Sequence, residues 1–261
     1  RKYDEARDAL EHRWNDDLHK IQAPIDQSQG DNGHPPLRWS DASWKTWKPP
    51  REFPRDVRVG ELEVDLKRFA DVVPHEKPLR LKVPETFSVP TTLAFPQQAS
   101  LLIHTDREGR DDAIRTLQMV MARLLTSLPA GRARFTLIDP VGLGQSFAGF
   151  MHLADHDESL VGGRILTDQE QIDQRMRDLT EHMETVIQKY LRNEFATIDE
   201  YNAQAGELAE PYRFIVVADF PSGFSSDAFR RLSAIASTGA RCGVYVLVAR
   251  DTSLPLPSGC R

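Results

Sequence analysis

The segment His104–Asp112 has the position of a phosphate-binding turn, because it lies between a short apolar run and an amphipathic segment with helical periodicity. A turn of this kind holds phosphate through backbone N–H groups and a lysine, and Mg²⁺ through a hydroxyl, in the pattern G-x-x-x-x-G-K-[ST]. In this sequence Gly109 is followed by Arg110 and Asp111. The position therefore fits phosphate chemistry, whereas the residue types do not.

The elements around this turn alternate between strands and helices. Continuous apolar runs predict strands over 101–103, 134–138, 214–218 and 244–248, and amphipathic patterns predict helices over 113–128, 168–192 and 227–238. Apolar strands that alternate with helices are typical of a mostly parallel sheet covered on both faces, which is a doubly wound α/β fold. Ligands of such sheets bind at the carboxyl ends of the strands, where the turn after Ile103 lies.

Several later segments occur in a specific order. They are Leu137–Gly142, Asp199–Asn202, Phe214–Asp219 and Gly239–Arg250, which read L-I-D-P-V-G, D-E-Y-N, F-I-V-V-A-D and G-A-R-C-G-V-Y-V-L-V-A-R. Together with the turn after Ile103, this order resembles the motor domain of FtsK/SpoIIIE-type DNA translocases over about Val57 to Arg250. The resemblance implies a sheet of the P-loop NTPase (RecA/FtsK-like) type, preceded by an N-terminal helix and a small β entry region.

The same resemblance implies where a vestigial nucleotide site would lie. It assigns this site to Thr105, Gly109, Arg110 and Asp111, with Arg110 in place of the phosphate-binding lysine and Asp111 in place of the metal-binding hydroxyl. It also assigns a vestigial metal-binding role to Asp219 at the end of the Walker B strand. Arginine can contact phosphate, although as a planar fork rather than as a compact charge.

The departures from the family pattern extend beyond the phosphate-binding turn. Phe220 stands where the family carries the glutamate that activates water, and Ala249–Asp251 stands where the family has Ala-Thr-Gln. With the lysine and the hydroxyl also absent, the chain resembles a degenerate copy of the motor. We therefore assign no catalytic residue and expect neither ATPase activity nor a bound cofactor, with ATP and Mg²⁺ as weak ligands at most.

Carboxylates surround the same turn, at Asp106, Glu108, Asp111 and Asp112. They would repel a triphosphate unless a metal ion lay between the charges. At the start of a helix, by contrast, acidic side chains complement the helix dipole and supply caps. The pattern therefore favours an acid-capped helix start over a working phosphate site.

Other patterns that could do chemistry have simpler interpretations. Asp139 before Pro140 is interpreted as a strand terminator. Gly144–Ala148 is predicted to be a loop and helix start, because a nucleophile elbow needs its serine on the strand-to-helix turn itself. His152 and His156 have a spacing that could bind metal on a helix, but a solvated loop is favoured.

The rest of the chain divides into segments of different composition. Apolar residues at helical spacing predict a helix that Pro24 ends, within a segment 1–25 that could be the end of a coiled coil. A linker that contains proline and tryptophan follows over 26–56, and a small β entry region over 57–98. The segment 99–261 forms the α/β core, which we expect to be truncated at its C-terminal end.

Trp39, Trp44 and Trp47 lie in the linker among basic residues that include Lys45 and Arg51. Aromatic and basic side chains together could form a stacking platform for single-stranded nucleic acid, or another contact with DNA or a partner. The alternative is that the tryptophans pin the linker onto the domain surface by burying aromatic area, and this interpretation is favoured.

Composition narrows the class of protein. The 261 residues carry 33 Lys and Arg against 39 Asp and Glu, a net charge of −6 that disfavours a nucleic-acid coat. The 2 cysteines are too few for a disulfide framework or a four-ligand zinc site, so we expect a reducing cytoplasmic location. No apolar run is long enough to enter a membrane. Because the chain lacks an initiator methionine and stops soon after a strand-like run, we expect it to be a segment of a longer protein.

Three functions remain open at this point. The first is a non-hydrolysing module that binds other domains of the parent chain, an active FtsK-like motor, further copies in a ring, or DNA. The second is an active ATP-dependent DNA translocase that uses Arg110 for phosphate and Asp219 for Mg²⁺. The third is an unrelated doubly wound domain that binds another small ligand. The absence of the family's catalytic residues favours the first.

Overall fold

The computed structural model describes residues 2–30, 39–54, 56–68, 86–192 and 194–257. Its helices are α1 (Lys2–Gly30), α2 (Arg110–Ser127), α3 (Gln169–Lys189), α4 (Ile198–Ala205) and α5 (Ser226–Thr238). Its strands are β1 (Val57–Asp65), β2 (Thr86–Leu93), β3 (Leu101–Thr105), β4 (Ala133–Ile138), β5 (Tyr212–Phe220) and β6 (Val244–Asp251). Within these ranges, no helix has the length and apolar character needed to cross a membrane.

The chain forms two compact units. The first comprises residues 1–47 and 58–92, and it contains α1 and most of the sheet in which β1 pairs with β2. The second comprises residues 48–57 and 93–261, and it contains the remaining helices and strands. The chemistry that the sequence predicts at the turn after β3 therefore lies in the second unit.

Helix α1 is longer than the sequence pattern predicts, because it continues past Pro24 to Gly30. The predicted stop at Pro24 is wrong. A proline lacks one backbone N–H and removes one hydrogen bond of the helix, but this loss can kink a helix without ending it.

The second unit is built on a parallel sheet in the order β3-β6-β5-β4. Each neighbouring pair of strands is parallel, with Leu101 opposite Leu247 and Phe135 opposite Phe214. Every residue from Phe214 to Phe220 is buried, and because side chains alternate between the two faces of a strand, both faces of β5 are covered. The predicted mostly parallel α/β sheet is confirmed.

The helices cover this sheet through their apolar stripes. Helix α2 packs on β3, β5 and β6 and buries Leu117 and Leu124 completely, while α3 and α5 pack against each other and α5 contacts β6. Hydroxyl and carboxylate caps fix where the later helices start: the side chain of Asp168 accepts a hydrogen bond from the first turn of α3, and Ser225 does the same for α5.

Since all strands of this sheet are parallel, their carboxyl ends lie at one edge. Thr105, Ile138, Phe220 and Asp251 are the last residues of β3, β4, β5 and β6. The turns that follow these residues are brought together at this edge, which is where ligands bind in open α/β sheets.

Candidate functional site

The turn between β3 and α2 is closed by its own polar side chains. The Thr105 hydroxyl donates to the backbone oxygen of Asp106 at 3.0 Å, and the carboxylate of Asp106 accepts from the backbone N–H of Gly109 at 3.0 Å. A Cβ atom at Gly109 would lie 2.5 Å from the Thr105 hydroxyl oxygen, so this close approach requires glycine. The backbone N–H that a phosphate oxygen would need is thus already bonded to a carboxylate.

The acidic residues of this turn act differently from one another. Gly109 occupies the N-cap position of α2 and provides no side-chain cap, whereas Asp111 and Asp112 lie exposed in the first turn. There they face the positive end of the helix dipole. The prediction of an acid-capped start is therefore corrected: no carboxylate serves as the cap residue, and the carboxylate that bonds to the turn is Asp106.

Arg110 and Asp219 form a two-pronged ion pair across the carboxyl edge. The Arg110 Nε atom donates to Asp219 Oδ1 at 2.6 Å, and Nη2 donates to Oδ2 at 2.8 Å. Asp219 is buried and has φ of +57°, a backbone conformation that few residues other than glycine adopt. Its hydrogen bond to Arg110 raises the pKa of the guanidinium, so the arginine stays charged.

This pair joins two residues to which the sequence gives separate roles. The resemblance assigns Arg110 to phosphate and Asp219 to a metal ion, but here each is the partner of the other. Arg110 also lies 4.0 Å from the Asp139 carboxylate and 3.7 Å from the Asp111 carboxylate. The guanidinium is therefore surrounded by acidic groups of its own chain.

Asp139 organises the neighbouring turn after β4. Its side chain is fully buried, and its carboxylate accepts from the backbone N–H groups of Gly142 and Ser146, both at 2.9 Å. A Cβ atom at Gly142 would lie 2.6 Å from both carboxylate oxygens, so this turn also depends on glycine. The interpretation of Asp139 as a strand terminator agrees with these contacts.

A cavity of about 450 Å³ opens at this edge. Its lining includes Thr105, Asp106, Arg107, Arg110, Asp219 and Asp251. The sequence prediction identifies three of these, Thr105, Arg110 and Asp219, whereas Gly109 and Asp111 do not line the cavity. With Asp106, Asp219 and Asp251 against two arginines, the charged groups of the lining have a net negative charge, which disfavours a triphosphate.

Asp251 at the end of β6 is a member of the site that the sequence did not reveal as such. Its carboxylate accepts from the hydroxyl of Ser253 at 2.6 Å and from its backbone N–H at 2.8 Å. These hydrogen bonds lower the pKa of the carboxyl, so Asp251 is ionised at neutral pH. The signal in the sequence was its position, since Asp251 lies three residues after the apolar run 244–248, at the end of β6 and at the ligand-binding edge.

Phe220 is packed as a structural residue. It is 5% exposed, and its ring lies 5.2 Å from the ring of Phe224 and 5.7 Å from that of Phe229. The position at which the family carries its water-activating glutamate is therefore filled by an aromatic cluster.

The remaining candidates do not form a metal or nucleophile site. The ring of His152 lies 3.5 Å from the carboxylate of Asp155, and both side chains are exposed. In the part of the chain that the structure describes, no group of three or more metal-binding side chains comes together. Ser146 follows Gly144 at the start of a 3-10 helix over Gln145–Asp155, so the predicted loop and helix start is confirmed.

Comparison with solved structures finds the same architecture in known ATPases. The cytoplasmic domain of the type VII secretion ATPase EccC from Thermomonospora curvata matches with a TM-score of 0.52 and 19% identity, over 78% of this chain and 22% of that one. EssC (ATPases 2 and 3) from Geobacillus thermodenitrificans matches with a TM-score of 0.57 and 14% identity, over 88% and 37%. The fold is that of a P-loop ATPase domain.

A third structure with this ATPase fold is the pCW3 conjugation coupling protein TcpA, in its monomer form with ATPγS. It has a TM-score of 0.50 and 14% identity over 85% of this chain and 53% of that one. This chain thus spans between 22% and 53% of the lengths of these proteins. No protein-family model matches the sequence, and no curated protein matches it either.

Proposed function

We propose that the chain is a non-hydrolysing FtsK/SpoIIIE-like ATPase-fold module of a larger protein, which acts by binding to or assembling with an active motor domain. The observation that carries this proposal is the ion pair between Arg110 and Asp219. It occupies the groups that would bind the phosphate and the metal ion.

The pair opposes Mg²⁺ binding directly. Both carboxylate oxygens of Asp219 accept hydrogen bonds from Arg110, so a metal ion would have to displace the guanidinium. A guanidinium left beside the metal would repel it, and Asp219 is buried enough for that repulsion to be weakly screened. An active site would therefore require Arg110 to move first.

Phosphate binding meets a second obstacle in the turn before α2. The N–H of Gly109 is already bonded to Asp106, and the carboxylate of that residue lies where a negative phosphate would be bound. The alternative of an active translocase needs Arg110 to leave Asp219 and Asp106 to release this N–H together. The first change gives up two hydrogen bonds and the second gives up one, and each bond that involves a charged group contributes about 1.5–3 kcal/mol.

Hydrolysis also needs a group that activates water. Phe220 cannot accept a proton, and Asp251 is already bonded to Ser253. The proposal therefore does not depend on the ion pair alone, because a nucleotide that entered the cavity would still lack a general base at the expected position.

The proposed role in assembly follows from the size of the matching proteins. The chain spans 37% of the EssC structure, which comprises ATPases 2 and 3 of that protein. A domain of this fold that lacks catalytic groups is suited to contribute a surface to a neighbouring ATPase domain rather than a reaction of its own.

Measurement of phosphate release from Mg²⁺·ATP tests the proposal. We expect the purified chain to release no more phosphate than buffer does, and Asp219→Ala to leave that rate unchanged. Asp112→Ala is the matched control, because Asp112 is an exposed neighbour outside the cavity lining that pairs with Arg115. Turnover in the unmodified chain that Asp219→Ala abolishes and Asp112→Ala retains would overturn the proposal.

A further inference from the structure

Three tryptophans of the first unit form a compact aromatic group, here called the tryptophan cluster: Trp39, Trp44 and Trp47. The rings of Trp39 and Trp44 stack at 5.2 Å with 13° between their planes, and those of Trp44 and Trp47 meet at 5.9 Å. A short 3-10 turn over Ala42–Thr46 brings them together. The cluster is thus organised by local structure.

The turn that carries the cluster is held by its own cap. The carboxylate of Asp41 accepts from the backbone N–H of Ser43 at 2.9 Å and from the hydroxyl of Ser43 at 2.6 Å. These bonds lower the pKa of Asp41 and keep its charge directed into the turn. The ring positions are therefore set before any ligand binds, which reduces the entropy lost on binding.

Two tryptophans of the cluster keep a substantial part of their surface exposed. Trp39 is 49% exposed and Trp47 is 37% exposed, although tryptophan is among the residues with the highest average burial. Trp39 hides only about half of its area, less than a tryptophan that pins a linker to a surface would hide. Both residues therefore leave area for contact with a ligand.

The charge next to the cluster is positive. Lys45 lies exposed between Trp44 and Trp47, and no carboxylate within the described ranges pairs with it. Lys48 follows Trp47 directly in the sequence. The one acidic residue of the turn, Asp41, is committed to the cap.

We propose that the tryptophan cluster, with Lys45 beside it, binds single-stranded nucleic acid by stacking bases on the exposed indole rings. Flat rings with neighbouring cations match a ligand that carries planar bases on a negatively charged backbone. A quaternary ammonium ligand also binds aromatic rings, but the lysines repel it. A duplex keeps its bases stacked inside, so the indole rings cannot reach their faces.

The test is a titration of the whole chain into a labelled oligothymidylate at low salt, followed by fluorescence anisotropy. The double variant Trp39→Ala/Trp47→Ala removes both exposed rings. Stacking of each base contributes about 1–3 kcal/mol, so each lost ring is expected to weaken binding between about fivefold and about 150-fold. The matched control is Trp14→Ala, which removes the one tryptophan outside the cluster.

The choice of ligand separates stacking from charge. An abasic oligomer of the same length carries the same phosphates without bases, and we expect it and a duplex to bind far more weakly than oligothymidylate. Lys45→Glu is expected to weaken binding and to reduce its dependence on salt. Absence of binding by the unmodified chain, equal binding of the abasic oligomer, or unchanged binding in the double variant would overturn the proposal. Displacement of the oligonucleotide by polyglutamate at equal charge would also overturn it, because the site would then be one for acidic peptides.

Discussion

The two ends of β5 place an arginine beside a carboxylate in contrasting ways. At the carboxyl end, both oxygens of Asp219 bond to Arg110, and this bonding raises the pKa of the guanidinium. At the amino end, burial lowers the pKa of Arg213, although Glu210 lies 3.2 Å away. At the carboxyl end, Arg110 and Asp219 compensate each other through two hydrogen bonds. At the amino end, Glu210 compensates the charge of Arg213 only in part.

The difference comes mainly from burial of Arg213, and the amino end also holds a third residue, His182. The Nε atom of Arg213 donates to His182 Nε2 at 2.8 Å, so the imidazole must be neutral at that nitrogen. Burial and the adjacent guanidinium lower the pKa of His182 to about 4. The amino-end cluster thus stabilises the fold in a way that depends on pH, while at the carboxyl end Arg110 stays charged and the pair occupies a ligand position.

The largest effect is expected from removing the carboxylate at the amino end. Glu210→Ala leaves Arg213 half-buried with a neutral histidine as its remaining side-chain partner, and we expect the free energy of unfolding to fall by about 3 kcal/mol. Urea unfolding measures this change. Asp227→Ala is the control, because the pairs of Asp227 with Arg230 and Arg231 lie at the surface and should contribute less than about 1 kcal/mol. Equal effects in the two variants would show that burial does not distinguish the pairs.

An intermediate effect is expected when the pH is lowered. In the unfolded chain His182 gains a proton below about pH 6.5, whereas in the folded protein it gains one only below about pH 4. The free energy of unfolding therefore falls as the pH drops from about 6.5 to about 4. Since the His182 side chain is 20% exposed, solvent screens part of the effect, and we expect the free energy of unfolding to fall by about 2 kcal/mol, which is less than the whole pKa shift would give.

This pH effect is measured as the difference between the unmodified chain and His182→Gln, because acidic groups elsewhere also titrate in this range. The glutamine can still accept the hydrogen bond from Arg213 but cannot gain a proton. Parallel pH profiles for the two proteins would contradict the assignment of the effect to His182.

The smallest effect is expected at the carboxyl end. A double-mutant cycle with Arg110→Met and Asp219→Asn should give a coupling energy of about 1–2 kcal/mol, since Asp219 is buried and the arginine is partly exposed. The same cycle at Arg230 and Asp227 should give less than about 0.5 kcal/mol. A coupling energy at Arg110 and Asp219 as small as at this exposed pair would mean that the ion pair does not hold the site closed.

The contrast between the two ends also marks what the sequence could reveal. Apolar runs located β3 to β6, most clearly β5 and β6, because a strand buried on both faces has few positions for polar residues. The ion pair was not predictable in this way, since Arg110 and Asp219 are 109 residues apart and only the parallel order of β3, β6 and β5 brings them together. The one feature of the sequence that pointed to the ion pair is Arg110, which stands where the resemblance expects a lysine.

Local hydrogen bonding explains the other departures. The sequence placed four carboxylates at the start of α2, but it did not show that Asp106 alone would bond to the turn. It also ended α1 at Pro24, because the missing N–H of proline was given more weight than the helical residues on either side. In both cases the sequence showed the type of residue but not the hydrogen bonds of the surrounding backbone.

The central claim, that the Arg110–Asp219 pair keeps the nucleotide site closed, is tested most directly by calorimetric titration of the chain with Mg²⁺·ATP. We predict no saturable heat up to millimolar nucleotide, either in the unmodified chain or in the control Asp112→Ala. Saturable binding by the unmodified chain that depends on Mg²⁺ and is lost in Asp219→Ala would contradict this claim. In that case Asp219 would bind the metal ion instead of forming the ion pair with Arg110.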